Sequence, residues 1–183
     1  MNQFQNSIFG QATNNKTRLT CYLPTPPVLP YGFTSLSELS QHPECVALCI
    51  EQNGNHWRKI LIILAKLGAA LHYQRIPTEK EWKQYRDHYL LQDNLVNISF
   101  ADSFEPHQHW HLISGQAHWS NFGLNKNKAI NNKQFELINE KYLCYRDSIE
   151  KDKSILLGPY LDYRQFPNQL IDQCQSLFLV NKI

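Results

Sequence analysis

Apolar residues recur along the chain in short blocks whose period shifts between strand and helix, and each shift marks a new element. Residues 18–23 predict a first strand, which Pro24, Pro26, Pro27 and Pro30 end. Each proline fixes φ and removes a backbone donor, so the four together make a stiff extended loop. Residues 34–40 predict a short helix capped by Thr34 or Ser35, and Pro43 suits the first turn of another running through Ile50. The clearest periodicity covers residues 55–71, where Trp57, Ile60, Leu61, Leu64, Leu67, Gly68 and Leu71 recur at helical spacing behind Asn55 as a cap. Ile62 and Ile63 widen that stripe, which predicts a mostly buried helix. Thr78-Glu79-Lys80-Glu81 reads as a capping box. It opens a helix with Trp82, Tyr85 and Tyr89 on one face and Lys83, Arg86 and Asp87 around them.

Further on, residues 110–114 predict a strand entering Gly115, and 115–122 a turn with a short helix. Residues 121–132 read as an amide- and lysine-rich surface loop, and 135–145 fit helix and strand equally. Residues 154–157 predict a second buried strand and 158–167 a loop. Asn168 then caps a last helix carrying Leu170, Ile171, Cys174, Leu177 and Phe178. Residues 1–16, amide-rich and without periodicity, predict a flexible arm ahead of a single domain over 17–183. Strands alternating with helices predict an α/β fold, a three-layer sandwich around a small, mainly parallel sheet. Such sheets bind ligands at the carboxyl ends of their strands, which singles out the loops at 24–33, 115–119 and 158–167.

Composition narrows the function classes. The 183 residues are 42% hydrophobic and 12% aromatic, enough for one core and against general disorder. Polarity comes largely from 16 Asn and 15 Gln, and a net charge of +2 does not by itself mark a nucleic-acid binder. The amino terminus has no basic start followed by an apolar run, so no secretory signal is expected. The longest apolar run, residues 60–65, is far below the roughly 20 residues of a membrane span. Five cysteines without a finger-like second pair read as reduced, buried thiols in a cytoplasmic protein.

Three constellations carry chemistry. Glu105, His107, His109, His111 and His118 form the first; in an extended segment the three alternate histidines share a face about 6.6 Å apart. Without a distant partner signature they read as loop and strand histidines, and no metal or other cofactor is expected. The loop 158–168 is the second. Tyr160, Tyr163 and Phe166 suit stacking, Arg164 a phosphate or carboxylate, and Gln165 or Asn168 an amide-like edge. Asp162 is the chain's best-placed candidate base. The third is the helix start at Asn53-Gly54-Asn55-His56-Trp57-Arg58-Lys59, where backbone N–H groups and basic side chains favour an anion. P-loop, G-x-G-x-x-G, G-x-S-x-G and H-E-x-x-H motifs are absent.

The order of these pieces resembles the uracil-DNA glycosylase superfamily, nearest its mismatch-specific branch, as a divergent bacterial member. Residues 55–61 are similar to that branch's N-x-F-W-K-x-L helix, and Leu67-Gly68 falls where that helix ends. Residues 112–117 look like the family's strand leading into a glycine and a helix carrying alanine. Residues 155–164 occupy the place of its minor-groove loop, and the proline loop that of its water-activating motif. Neither G-x-D-P-Y nor N-P-G stands in the first loop, and Gly158-Pro159-Tyr160-Leu161 replaces H-P-S in the last. The resemblance therefore implies a glycosylase-like domain that has lost its catalytic motifs and binds a nucleotide or DNA, through Asn55, Arg58, Gly115, Tyr163, Arg164, Gln165 and Asn168. One alternative is an N-glycosidic-bond hydrolase in which an unpaired Asp162 orients water. The other is a protein-interaction domain using the same aromatic loop.

Overall fold

The computed structural model describes residues 8–11, 16–105, 110–124, 136–139, 143–147 and 154–180. The expected surface loop beyond residue 124 lies outside this set, as do His107 and His109. Seven strands form one sheet: β1 (Ile8–Phe9), β2 (Leu19–Tyr22), β3 (Val96–Ser99), β4 (Trp110–Ser114), β5 (Glu136–Asn139), β6 (Leu143–Asp147) and β7 (Ser154–Gly158). The helices are α1 (Leu36–Gln41), α2 (Cys45–Tyr73), α3 (Glu79–His88), α4 (Gln116–Trp119) and α5 (Asn168–Val180), with a 3₁₀ turn at Ser120–Phe122. Among the described residues no helix is long and apolar enough to cross a membrane.

The fold is α/β, but the sheet is mixed rather than mainly parallel. Its order is β1-β3-β2-β4-β7-β6-β5. The four central strands are parallel, while β1 on one edge and β6 and β5 on the other pair antiparallel. The stretch 135–145, readable either way, supplies β5 and the start of β6, and these two outer strands account for most of the antiparallel pairing. The strand β3 was not anticipated. Its apolar signal is only Val96 and Ile98, alternating with Asn97 and Ser99, and it lies between β1 and β2. The expected loose arm is also corrected in part, because Ile8 and Phe9 pair with β3 and Phe9 is fully buried.

The central strands β2, β3, β4 and β7 are buried throughout, as parallel strands covered on both faces must be. Alternation splits them between two clusters. Leu19, Cys21, Val96, Ile98, Trp110, Leu112 and Leu156 join the main core with residues from α2, α3 and α5. Tyr22, Ile113, Ile155 and Leu157 form a smaller cluster with Trp119, against Phe104, Phe122 and Leu124. Gly68 lets α2 approach closely, since a Cβ there would come within 2.6 Å of Tyr85 and 2.7 Å of Val96.

Local caps follow their residue types. The Ser35 hydroxyl accepts from the Glu38 N–H, and Thr78 with Glu81 makes the full capping box. The two helices expected around residues 43–71 meet at a single break. Gly54 adopts φ 68°, ψ −153°, a region essentially reserved for glycine. Just before it, the Asn53 amide is paired both ways with Val28, accepting its N–H at 2.8 Å and donating to its carbonyl at 2.9 Å. The proline loop is thereby fastened to the turn of α2. Gly54→Ala is expected to cost about 1–3 kcal/mol from backbone strain alone, since a Cβ at this site meets open space. Urea denaturation of both proteins checks this, with the midpoint falling and the slope unchanged.

Candidate functional site

The carboxyl ends of β4 and β7 are clamped together. The Trp119 indole N–H lies 3.1 Å from the Ile113 carbonyl and 3.2 Å from that of Gly158, and Ser114 Oγ donates to the Pro159 carbonyl at 3.2 Å. The Gly115 N–H donates to the Gly158 carbonyl at 3.0 Å. Gly115 itself takes φ 91°, which favours glycine, and its missing Cβ would sit 3.5 Å from Tyr160 Cδ2. Tyr160 lies on the other side against α2. Its ring stacks on His56 with centroids 5.6 Å apart, and its hydroxyl is 2.9 Å from His56 Nε2. One aromatic side chain thus joins the second half of α2, the Gly115 turn and the loop after β7.

That loop is held through both oxygens of the Asp162 carboxylate. Lys59 Nζ donates to Oδ2 at 2.7 Å, and the Arg164 N–H donates to Oδ1 at 2.9 Å. The Asp162 carbonyl also accepts the N–H groups of Gln165 and Phe166. The Lys59 ammonium and then the Arg164 N–H hold its carboxyl below the usual carboxylate range. Asp162 is therefore an engaged anion that folds the loop, and the unpaired base required by a hydrolase is not what this carboxylate provides.

Other anticipated residues separate into structural and outward-facing groups. Asn55 does not spend its side chain on a backbone cap; its Oδ1 accepts from Arg58 Nε at 3.0 Å and Nη2 at 2.8 Å. Asn168 likewise uses Oδ1 to accept from Lys66 Nζ at 2.8 Å, while the Pro167 carbonyl receives the first helical N–H groups of α5. Phe166 is fully buried, so it packs rather than stacks on a ligand. Arg58, Tyr163, Arg164 and Gln165 are exposed. Burial raises the Tyr163 phenol, and the charges of Arg58 and of Arg86 from α3 both act to lower it. Residues from three separate elements thus lie within electrostatic reach of one another.

The same face extends along α3. Lys66, Lys83 and Arg86 stand over the Trp82 ring at 5.1, 5.8 and 5.9 Å from its centre. Lys66 had no assigned role, although a single lysine inside the apolar run of α2 was its signal. Lys59 carries the Asp162 contact from a position 103 residues away, a distance no local pattern reports.

Of the histidine constellation, Glu105, His111 and His118 are among the described residues. The Glu105 N–H donates to Tyr22 Oη at 2.9 Å, and the same hydroxyl lies 2.8 Å from His111 Nδ1. His118 packs on Phe122 with ring centres 5.3 Å apart, and its Nε2 is 3.4 Å from Asp102 Oδ1. Among the described residues no three His, Cys, Asp or Glu side chains are placed to share a metal ion. Cys21, Cys45, Cys49 and Cys174 are buried and unbridged, and burial pushes the Cys49 thiol up to about 12. Thiols so placed stay protonated at neutral pH and are poor nucleophiles.

Fold and site together define an α/β domain with a basic, aromatic face beside the carboxyl ends of its parallel strands. Residues 9–179 match a "Family of unknown function (DUF6942)", and the chain belongs to that family. Neither a curated protein nor a solved structure matches it.

The Asp162 pairing has a pH signature. Its folded carboxyl titrates below the unfolded value near 3.8, so the unfolded chain binds the proton first. The stability it contributes is complete above that value and is lost as pH falls through the lower folded one. Asp162→Asn is expected to reduce the urea midpoint at pH 7 and to narrow the gap to wild type at pH 3, measured by denaturation at both pH values.

Proposed function

We propose that this domain binds a nucleotide or nucleic acid, and that it is a glycosylase-like scaffold whose catalytic motifs have been lost. The loop that exposes Tyr163, Arg164 and Gln165 is tied by Asp162 to Lys59, next to the exposed Arg58 on α2, and this pairing at 2.7 Å carries the reading. A guanidinium suits a phosphate as a fixed fork of donors, and an exposed phenol ring offers a face to any base. Arg164 and Gln165 stand exposed on the same loop. The parallel centre of the sheet, with Gly115 and the 158–167 loop at its carboxyl end, supports the glycosylase-like part. A reducing, cytoplasmic setting fits the buried, unbridged thiols.

The hydrolase alternative loses its base to Lys59. A protein-docking role has one observation in its favour, since Val28 and Tyr31 on the proline loop are both exposed. Binding of labelled single-stranded and duplex DNA across a salt series separates the readings. Salt-sensitive binding is expected, weakened severalfold by Arg58→Gln or Arg164→Ala. On single strands the slope of log affinity against log salt should fall by about 0.7 for each phosphate that a substitution leaves unneutralised. Binding that ignores salt, or that survives both substitutions, would remove the basic face from the reading.

A further inference from the structure

A groove of about 470 Å³ opens between the start of α3 and the start of α5, within the size range of small-ligand sites. One stripe of α5 lines it, since Asn168, Ile171, Asp172 and Gln175 recur at i, i+3, i+4 and i+7. Lys66 enters from α2, and Ile76, Pro77, Glu79 and Trp82 come from the start of α3 and the turn before it. Three cations already stand over the Trp82 ring. The apolar surface left for a ligand is therefore that of Ile76, Pro77 and Ile171.

The polar groups of this groove have unused capacity of both signs. Lys66 Nζ spends one donor on Asn168 Oδ1 at 2.8 Å, which leaves two of the ammonium's three. Burial draws the Lys66 ammonium below the ordinary lysine range, and the Asp172 and Glu79 charges act against that. Glu79 is taken by Lys83 at 2.6 Å. Among the described residues neither Lys66 nor Asp172 makes an ion pair. Gln175 is 3% exposed, and its Nε2 donates to the Lys66 carbonyl at 2.8 Å. The other end of that amide, Oε1, opens on the groove and accepts nothing among the described residues.

These groups select the ligand's chemistry. An anion would satisfy Lys66 and be repelled by Asp172, and a cation would do the reverse beside three positive groups. A wholly apolar ligand would strand the Gln175 acceptor. A zwitterion answers both charges, and the spacing sets its length. Asn168, beside Lys66, precedes Asp172 by four residues, about 6 Å along the helix axis. Two extended residues span about 7 Å, whereas the two charges of a free amino acid share one Cα.

We propose that this groove binds a zwitterionic dipeptide with apolar side chains. Its carboxylate lies on Lys66 Nζ and Asn168 Nδ2, and its ammonium on the Asp172 carboxylate and Gln175 Oε1. Its side chains pack on Ile76, Pro77 and Ile171. The site is independent of the nucleotide-binding reading above.

Isothermal titration of the full chain with leucyl-leucine, its N-acetyl form, its carboxamide and free leucine tests it. Leucyl-leucine should bind about tenfold or more tighter than each of the other three. Asp172→Asn should weaken leucyl-leucine about tenfold and leave the N-acetyl form, which lacks the ammonium, unchanged. Lys66→Gln should weaken leucyl-leucine and leave the carboxamide unchanged. Asp172 is exposed, so its substitution tests the site even where Lys66→Gln disturbs the fold. No heat with leucyl-leucine at millimolar concentration overturns the site. So does equal binding of the blocked forms, or an equal loss for both forms in Asp172→Asn. DNA binding should be the same in wild type and Asp172→Asn, which keeps the two readings separable.

Discussion

The break in α2 at Gly54 is the constraint on which the site is built. A helix that continued through residues 53–55 without it would have a different direction, and His56, Arg58 and Lys59 would leave the loop after β7. The break is stable because two things coincide there. Glycine adopts φ 68°, ψ −153° without a Cβ penalty, and Asn53 bridges the interruption with a two-way bond to Val28. The first loop of the sheet and the longest helix are therefore positioned by one turn. From it, Tyr160 and Asp162 find their partners about one helical turn apart, on His56 and Lys59.

The basic residues at this face have divided duties. Lys59 is used internally, holding Asp162 at 2.7 Å with both side chains largely covered. Arg58 is oriented by a neutral amide, which directs the guanidinium without neutralising it. Arg86 and Lys83 are paired with acids on their own helix, and pairs of that exposed kind contribute little to stability. With Lys66 from α2 they set three cations around one half-buried ring. A net charge of +2 concealed this arrangement, because acids that balance the sum are engaged locally as tethers.

The parts of the fold legible in the sequence are those with strong local causes. Proline ended β2, the capping box began α3, and the apolar stripe of residues 57–71 gave the buried half of α2. Strands β4 and β7 announced themselves as short, continuous apolar runs. What escaped depended on partners far along the chain. Val96 and Ile98 become a strand inside the sheet only because β2 and β1 flank them. Phe9 is buried only because β3 offers an edge. Among the candidate site residues, the glycine turn at Gly115 and the exposure of Arg58, Tyr163 and Arg164 follow from residue type and loop position. Asp162 was misread for a physical reason: a carboxylate in a ligand-facing loop looks like a base until a lysine 103 residues earlier is known to hold it.

Tyr160 and Tyr163 show why residue type alone does not assign a stacking role. They lie three residues apart on one loop and are chemically identical. Tyr160 is claimed by His56 and the Gly115 turn, with its ring covered on the α2 side and its hydroxyl bonded. Tyr163 lies within the turn that Asp162 closes on Arg164, Gln165 and Phe166, where its side chain is exposed. The contacts that hold Asp162 therefore also set the turn that presents Tyr163. The same carboxylate that braces the loop thereby fixes which of its two tyrosines faces solvent.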